Sequence, residues 1–257
     1  MSDLAPPILV ETADGLMIIT IARPEVKNAI NYAAAEAIAH ALEQLDADDT
    51  ISVGIITGSG GGFSSGMDLA AFLKGSKPSY GDRGFAGMTR RSAAKPLIAA
   101  IEGFAIAGGF EIALACDMIV AAEGARFELP EVRRGLVAAA GALLRLPRRM
   151  PYHTVMELAL TGEPITAERL HHFGVVNRVV KAGSALAEAI MLARRVIEGG
   201  PLAVAATKRI LVEQQDWTLE TMWREQEPIF RSVAASDDAQ EGARAFKERR
   251  PPQWQRR

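Results

Sequence analysis

Residues 96–121 read PLIAAIEGFAIAGGFEIALACDMIVA, and this stretch decides the fold. Its apolar run at 97–101 is typical of a buried strand. The Gly108-Gly109 pair follows, after which the chain becomes apolar and helical as far as Cys116, and a second strand-like run occupies 117–121. The same order of strand, glycine loop and helix begins at residue 53, about 45 residues earlier. The pattern predicts an α/β protein built as a layered spiral.

Outside this stretch, apolar periodicity and turn residues predict most of the remaining elements. The predicted strands are 8–12 and 16–21, joined at Asp14-Gly15, then 53–57 and a strand-like piece at 175–180. The predicted helices are 32–46, a short one at 67–73, and then 152–161, 166–173, 184–198, 202–215 and 218–235. We expect an α/β core over residues 1–195 and a helical module over 196–257. Because that module has little core of its own, we expect it to pack on a neighbouring subunit.

Composition narrows the function classes. The 257 residues contain 29 basic and 31 acidic side chains, a formal net charge of −2, which argues against nucleic acid and acidic membranes as partners. Residues 1–7 lack the features of a signal peptide, and no apolar run approaches the roughly 20 residues that span a bilayer. The single cysteine, Cys116, excludes an intrachain disulfide, and its apolar helix favours core packing. We therefore expect a cytoplasmic protein, and the spacing of His, Cys, Asp and Glu predicts no metal site.

Two glutamates lie in settings suited to chemistry. A glycine pair that opens a helix leaves unpaired N–H groups at the positive end of the helix dipole, which suits an oxyanion. Glu111 follows Gly108 by three residues. Glu131 lies in Leu129–Val132, on a predicted loop after a short strand-like run. Two carboxyl groups can divide the roles of acid and base when their environments separate their pKa values.

Three other motifs have weaker interpretations. The loop Gly58–Gly62 lacks the Lys-Ser/Thr of a P-loop, and Phe63 stands where a dinucleotide fingerprint needs its third glycine. Residues 62–66 match G-x-S-x-G, but that motif needs its serine directly at the strand end. Asp68 could bind a ligand, but an acidic residue near a helix start more commonly caps the helix N-terminus.

In these and further stretches, in order along nearly the whole chain, the sequence resembles the crotonase (enoyl-CoA hydratase/isomerase) superfamily. The matching residues are Arg23-Pro24, Asn28-Ala29, Thr57-Gly58, 63–69, 95–101, 107–117, 130–132, 135–136, 145–148, 160–162 and 174–177. The resemblance implies a spiral of ββα units followed by a C-terminal helical trimerisation module, assembled as a homotrimer or a dimer of trimers. It also implies an acyl-CoA thioester substrate and no separate cofactor, since coenzyme A belongs to the substrate.

The resemblance also implies roles for individual residues. The N–H groups of Met67 and Gly108 would hold the thioester oxygen, and the adenine would lie against backbone near Ser65, Met67 and Leu69. Hydratases of this type keep both glutamates. The implied reaction is therefore hydration of an enoyl-CoA, or its reverse, with Glu111 as base and Glu131 as proton donor; the reversed assignment stays open.

The resemblance leaves other reactions open, and some residues of this chain differ from the family pattern. Related crotonase reactions are enoyl-CoA isomerisation, acyl-CoA hydrolysis, decarboxylation and carnitinyl-CoA dehydration, the last supported by the ending Leu144–Pro147. A non-catalytic protein that binds RNA or acyl-CoA is the alternative from another class. Residues 138–143 depart from the family pattern in the wall of the acyl pocket. The family's phosphate-binding lysine is Ala70 here, so Lys74 and Arg249 are the expected cations for CoA phosphate.

Overall fold

The computed structural model describes residues 5–256, so the leader prediction, which rests partly on residues 1–4, lies partly outside the described chain. Across that range the strands are β1 Ile8–Ala13, β2 Leu16–Ile21, β3 Val53–Gly58, β4 Ser79–Tyr80, β5 Gly84–Phe85, β6 Leu97–Ile101, β7 Phe104–Ile106, β8 Met118–Ala122, β9 Arg126–Glu128, β10 Ile165–Thr166 and β11 Arg178–Val180. The helices are α1 Tyr32–Ala47, α2 Leu69–Leu73, α3 Gly108–Ala115, α4 Ala142–Arg145, α5 Tyr152–Thr161, α6 Ala167–His172, α7 Ala185–Ile197, α8 Pro201–Glu213, α9 Met222–Ala234 and α10 Asp237–Glu248.

The principal sheet has six strands in the order β1-β2-β3-β6-β8-β11. The β1–β2 hairpin is antiparallel, and every later pairing in this sheet is parallel. Asp14 and Gly15 both have positive φ, 51° and 78°, as the predicted two-residue hairpin turn requires. The sheet confirms the α/β prediction and explains the continuous apolar runs, because parallel strands are covered on both faces.

Alternate side chains of the central strands supply two separate cores. Ile55, Ile98 and Val120 pack with α7 on one face of the sheet. Ile56 and Ile119 belong to the larger core on the opposite face, which includes α1 and α3. The whole predicted apolar face of α1 is buried there, and Cys116 is buried with its Sγ donating to the Ile112 carbonyl at 3.4 Å. The predicted packing role of this cysteine is confirmed.

A second sheet has three strands in the order β10-β9-β7. Its strand β7 follows β6 in the chain and leads directly into α3. The β4–β5 hairpin forms a third, two-stranded sheet that packs on α1. Arg83 in this hairpin is buried and its Nε lies 3.3 Å from Glu43 Oε1 on α1. The hairpin is therefore joined to α1 through the segment that connects its two strands.

Some predicted boundaries were wrong. The strand at 175–180 is restricted to Arg178–Val180, because the N–H groups of Val175 and Val176 donate to the Leu170 carbonyl at the end of α6. The helix at 218–235 begins only at Met222, and Ser236 caps a separate helix, α10, by accepting from Ala239 N at 3.1 Å.

The C-terminal residues return to the α/β core. Trp254 Nε1 donates to the Glu198 carbonyl at 3.1 Å, and its ring lies against Gly200 and Gly242. Arg256 Nη2 donates to Ser52 Oγ at 2.5 Å. The division at residue 195, which falls in the last turn of α7, stays a prediction. No helix within residues 5–256 is both long and apolar enough to cross a bilayer.

Asp68 joins the start of α2 to the turn after β2. Its Oδ1 accepts from Ala71 N at 3.0 Å, and its Oδ2 lies 3.0 Å from Arg23 Nη2. We predict that Asp68→Ala lowers the free energy of unfolding by about 1–2 kcal/mol, because a cap and an ion pair are lost together. Asp68→Asn keeps a cap acceptor and should lose about half as much. Urea unfolding at pH 7 measures both; equal losses in the two variants would assign the whole effect to the ion pair.

Candidate active site

The loop before α2 is shaped by buried polar groups. Ser64 Oγ donates to the Asn28 carbonyl at 2.8 Å and accepts from Gly66 N at 3.1 Å. Asn28 Nδ2 in turn donates to the carbonyls of Ser59 and Gly62, both at 2.8 Å. Ser64 is fully buried and occupied by these bonds, so the G-x-S-x-G match is a structural feature of the loop.

These bonds set the direction of the Met67 N–H group. Ile30 N donates to Gly66 O at 2.7 Å, and Asp68 N donates to Ile30 O at 2.9 Å, which makes a short parallel bridge. In such a bridge the intervening N–H points away from the partner strand. The Met67 N–H therefore points away from Ile30, and it has no hydrogen-bond partner in the described chain.

The first turn of α3 lies beside this loop. A Cβ on Gly66 would stand 2.7 Å from Gly108 N, and a Cβ on Gly109 would stand 2.1 Å from Ser64 O. Ala107 precedes the helix with φ 53° and ψ −125°, a conformation strained for any residue with a side chain. The bonds Ala107 N to Glu128 O (2.8 Å) and Ile106 N to Ser64 O (2.9 Å) hold it there. The structure thus places Gly66, the residue before Met67, against Gly108.

Glu111 extends from the first turn of α3 to the start of α4. Its side chain is buried, and Oε1 accepts from Ala140 N at 2.7 Å and Ala142 N at 3.1 Å. Burial raises the pKa of Glu111, whereas these N–H groups, that of Gly141 and the charge of Arg145 oppose the rise. Within residues 5–256 no group bonds the second oxygen, Oε2, which is left available to a reactant.

Glu131 lies in a 3-10 helix, Pro130–Arg134, and the prediction of a loop was wrong. Pro130 at the first position and Gly135, with φ 66°, at the end define this short helix. Burial is the main cause that raises the pKa of Glu131 to about 7, and the charge of Glu111 adds to it. Its Oε2 is buried and has no partner among the described residues. Near neutral pH this carboxyl therefore carries a proton for much of the time.

One aromatic side chain covers the glycine of the helix start. A Cβ on Gly108 would stand 2.5 Å from Cε1 and Cζ of Phe85, at the end of the β4–β5 hairpin. Gly108 is therefore required for packing of Phe85 as well as for access to its N–H. Phe85 forms a wall beside the N–H of Gly108, which, like that of Met67, has no hydrogen-bond partner among the described residues.

Residues 11–257 match the family described as enoyl-CoA hydratase/isomerase. A carnitinyl-CoA dehydratase from Salmonella arizonae is 41% identical over 247 residues, which cover 93% of this chain and 94% of the relative. The chain belongs to the enoyl-CoA hydratase/isomerase family. The solved enoyl-CoA hydratase EchA1 from Mycobacterium marinum is 53% identical with a TM-score of 0.97, covering 98% of this chain and 100% of that one. An enoyl-CoA hydratase from Mycobacterium tuberculosis H37Rv is 52% identical over the same coverage, also with a TM-score of 0.97.

These similarities confirm the predicted crotonase superfamily and fold, and the carnitinyl-CoA dehydratase branch indicated by residues 144–147 appears among the relatives. The protein is an enzyme of the crotonase family. Gly66 meets Gly108 at the start of α3, and the charge of Glu111 acts on Glu131; the catalytic roles of these glutamates and the oxyanion roles of Met67 and Gly108 stay predictions.

The residues predicted for CoA binding are spread more widely. Ser65 belongs to the same loop as Met67, and Leu69 begins α2 with its side chain 44% exposed. Lys74 is exposed at the end of α2. Arg249 is exposed at the end of α10, with φ 55°, and no bond joins it to the loop of Ser65 and Met67 anywhere in residues 5–256. Across the same residues no three His, Cys, Asp or Glu side chains gather as a metal site.

The amides at 140–142, which hold Glu111, and Arg145, which binds the carbonyl of Ala140, were not predicted from the sequence. Residues 138–143 stood out there only as a departure from the family pattern. The available signal was Gly141, whose φ of 114° needs glycine and which stands four residues before Arg145. Phe85 was missed because it lies in a segment that has no periodic pattern.

Glu131 should make stability depend on pH. Its folded pKa of about 7 exceeds the unfolded value of about 4.3, so the folded state binds more protons between these values and stability falls as pH rises. We predict that Glu131→Gln raises the free energy of unfolding by about 1–2 kcal/mol at pH 8 and leaves it unchanged near pH 4, after allowance for solvent screening. Urea unfolding at both pH values measures this. A difference that is equal at the two pH values would contradict a raised pKa.

Proposed function

We propose that the protein is an enoyl-CoA hydratase, a hydro-lyase that adds water across the 2,3 double bond of an enoyl-CoA thioester or catalyses the reverse. The observation that carries the proposal is a pair of buried carboxyl groups, one bound by two amides and one without a partner among the described residues, beside two backbone N–H groups that have no partner there either. Addition of water to a conjugated thioester needs these components: a base for water, an acid for Cα and donors for the thioester oxygen.

The thioester oxygen would accept from Met67 N–H and Gly108 N–H. When water adds at Cβ, negative charge moves to this oxygen and forms an enolate. Both donors are held in place before the reaction by the Ile30–Met67 bridge and the start of α3. The dipole of α3 also favours negative charge at this end. A donor of this kind contributes about 3–4 kcal/mol to lowering the barrier.

The environments of the carboxyl groups support one division of labour. Glu111, whose charged form is stabilised by three amides, would take a proton from water through its free Oε2 as the hydroxyl adds to Cβ. Glu131, with its pKa raised to about 7, would give its proton to Cα as the enolate collapses. The product thus gains one hydroxyl and one proton, and the proton left on Glu111 must return to Glu131 through solvent.

Coenzyme A is part of the substrate in this proposal, and no other cofactor takes part. Backbone near Ser65 and Leu69 would bind the adenine, and Lys74 would contact phosphate. Arg249 would reach the CoA of a neighbouring subunit in a homotrimer or a dimer of trimers. Exposed apolar side chains in and beside α9 and α10 support such an assembly: Leu219 (84% exposed), Trp223 (69%), Phe230 (57%) and Phe246 (87%). A cytoplasmic location remains part of the proposal, on the basis of the single cysteine.

Carnitinyl-CoA dehydration is the second candidate, because the curated relatives at 40–41% identity carry that name. Its substrate bears a quaternary ammonium group. The charged groups that act on Glu111 and Glu131, apart from each other, are the cations Arg145 and Arg134. Arg145 and Arg134 would repel an ammonium group, but the carboxylate of Glu111 would attract it, so these charges favour neither substrate. The solved enoyl-CoA hydratases at 52–53% identity favour an uncharged acyl chain.

The test is the loss of enoyl-thioester absorbance when the protein is added to crotonyl-CoA, longer 2-enoyl-CoAs and the γ-trimethylammonium analogue of crotonyl-CoA. We expect turnover of the uncharged substrates, with losses of about 10²–10⁴ in kcat for Glu111→Gln and Glu131→Gln. Glu123→Gln, at an exposed glutamate outside the site, is the control. Turnover confined to the cationic substrate would support carnitinyl-CoA dehydration, and full activity of either site variant would exclude the two-carboxyl mechanism.

Gly66 offers a separate test of the oxyanion site. We predict that Gly66→Ala lowers kcat/KM on crotonyl-CoA by about 10²–10³, because its Cβ would stand 2.7 Å from Gly108 N. Gly61→Ala is the matched control. Gly61 also has positive φ, 78° against 87°, but its Cβ would meet nothing within 4 Å. Gly61→Ala should lose about 1 kcal/mol of stability because of its positive φ. Gly66→Ala should lose more, because its Cβ also meets backbone, so activities are compared at equal folded fraction. Equal activities of the two variants would remove Gly108 N–H from the mechanism.

A further inference from the structure

Arg145, the last residue of α4, binds two carbonyl groups from different parts of the chain. Its Nη2 donates to Thr89 O at 2.5 Å, beyond the β4–β5 hairpin, and its Nη1 donates to Ala140 O at 3.3 Å. The guanidinium is partly buried and forms no ion pair within residues 5–256. A buried charge without a counterion costs free energy, and burial lowers the pKa of Arg145 accordingly. The charge of Arg145 nevertheless stabilises the charged form of Glu111 without direct contact and so lowers its pKa.

The bond to Ala140 O controls the peptide that faces Glu111. The carbonyl of Ala140 and the N–H of Gly141 belong to one planar trans peptide, so they point in opposite directions. With the carbonyl held by Arg145, the Gly141 N–H points toward the Glu111 carboxylate. It joins the N–H groups of Ala140 and Ala142, which donate to Glu111 Oε1 at 2.7 and 3.1 Å. The Arg145 guanidinium and the Glu111 carboxylate thus bind opposite sides of the loop at 140–142.

We propose that Arg145 is a positioning residue: by holding the Ala140–Gly141 peptide, it keeps the N–H groups of Ala140 and Ala142 on Glu111 Oε1 and leaves Oε2 for the reactant. The proposal rests on the proposed function of Glu111 as the base. Through Thr89 O, the same guanidinium fixes the end of the segment that begins at Phe85, so the pocket wall and the base share one anchor. Glycine at 141 is required twice, by its φ of 114° and because a Cβ there would stand 1.9 Å from Arg145 Nη1.

The first test observes Glu111 without any turnover. In a Glu131→Gln background, ¹³C NMR of the Glu111 side-chain carboxyl gives its titration midpoint, and Arg145 is then the charged group that acts on it. We expect Arg145→Met to move this midpoint to higher pH by about 1, because a charge and the alignment of an amide are lost together. Arg145→Lys, which keeps the charge but cannot span both carbonyls, should show a smaller shift in the same direction. An unchanged midpoint in Arg145→Met overturns the proposal even if the protein hydrates no enoyl-CoA.

The second test uses crotonyl-CoA kinetics. Arg145→Met and Arg145→Lys should lower kcat by about 10- to 100-fold with KM changed less than about threefold, and the acidic limb of the pH profile should move to higher pH. Added guanidinium should restore part of the activity of Arg145→Ala. Arg149→Met is the matched control, because among residues 5–256 Arg149 binds the Leu114 carbonyl, through Nη1 at 2.9 Å, and no carbonyl of the loop at 140–142. An equal loss in Arg149→Met, or no rescue by guanidinium at matched folded fraction, contradicts a positioning role.

Discussion

The close approach of two backbone segments, Ser64–Met67 and Ile106–Gly109, is the constraint on which the rest of the site depends. Side chains at residues 66 and 109 would collide with backbone of the other segment, so glycine alone allows this spacing. The approach in turn demands the strained backbone of Ala107, which the bonds to Glu128 and Ser64 hold in place. Two N–H groups from distant parts of the chain thereby become neighbours. The buried serine and asparagine beneath the loop, Ser64 and Asn28, keep this arrangement rigid without entering any reaction themselves.

Glu111 and Glu131 are both buried, but their surroundings stabilise the charged carboxylate to different degrees. Desolvation raises the pKa of both side chains. At Glu111 the start of α4 supplies amides that stabilise the charged form, whereas at Glu131 one oxygen is buried without a partner. The difference comes from backbone and not from the side chains themselves. A four-residue helix such as α4 adds little stability of its own, but its first N–H groups lie where a carboxylate needs them.

Much of this could be predicted from the sequence, for reasons that the structure makes clear. The strands of the principal sheet are continuous apolar runs because both faces are covered, and α1 carries an unbroken apolar face. Gly108 and Glu111 are adjacent to a helix start, so their roles follow from local chemistry. Arg145 and Phe85 could not be found in this way, because each acts across a contact between segments more than 20 residues apart. The start of α10 was missed because Ser236 is a single-residue signal within a long amphipathic region.

The contact between Arg256 and Ser52 has a consequence for the order of folding. It joins residues 204 positions apart, whereas the β1–β2 hairpin closes with two residues. Closing so long a loop has a large entropic cost until the intervening chain is already compact. The sheet and its two cores can therefore assemble while the last helices are still unattached. The C-terminal residues then dock only after the rest of the chain has folded. A growing chain would complete the loop at 64–67 and the start of α3 well before this contact forms.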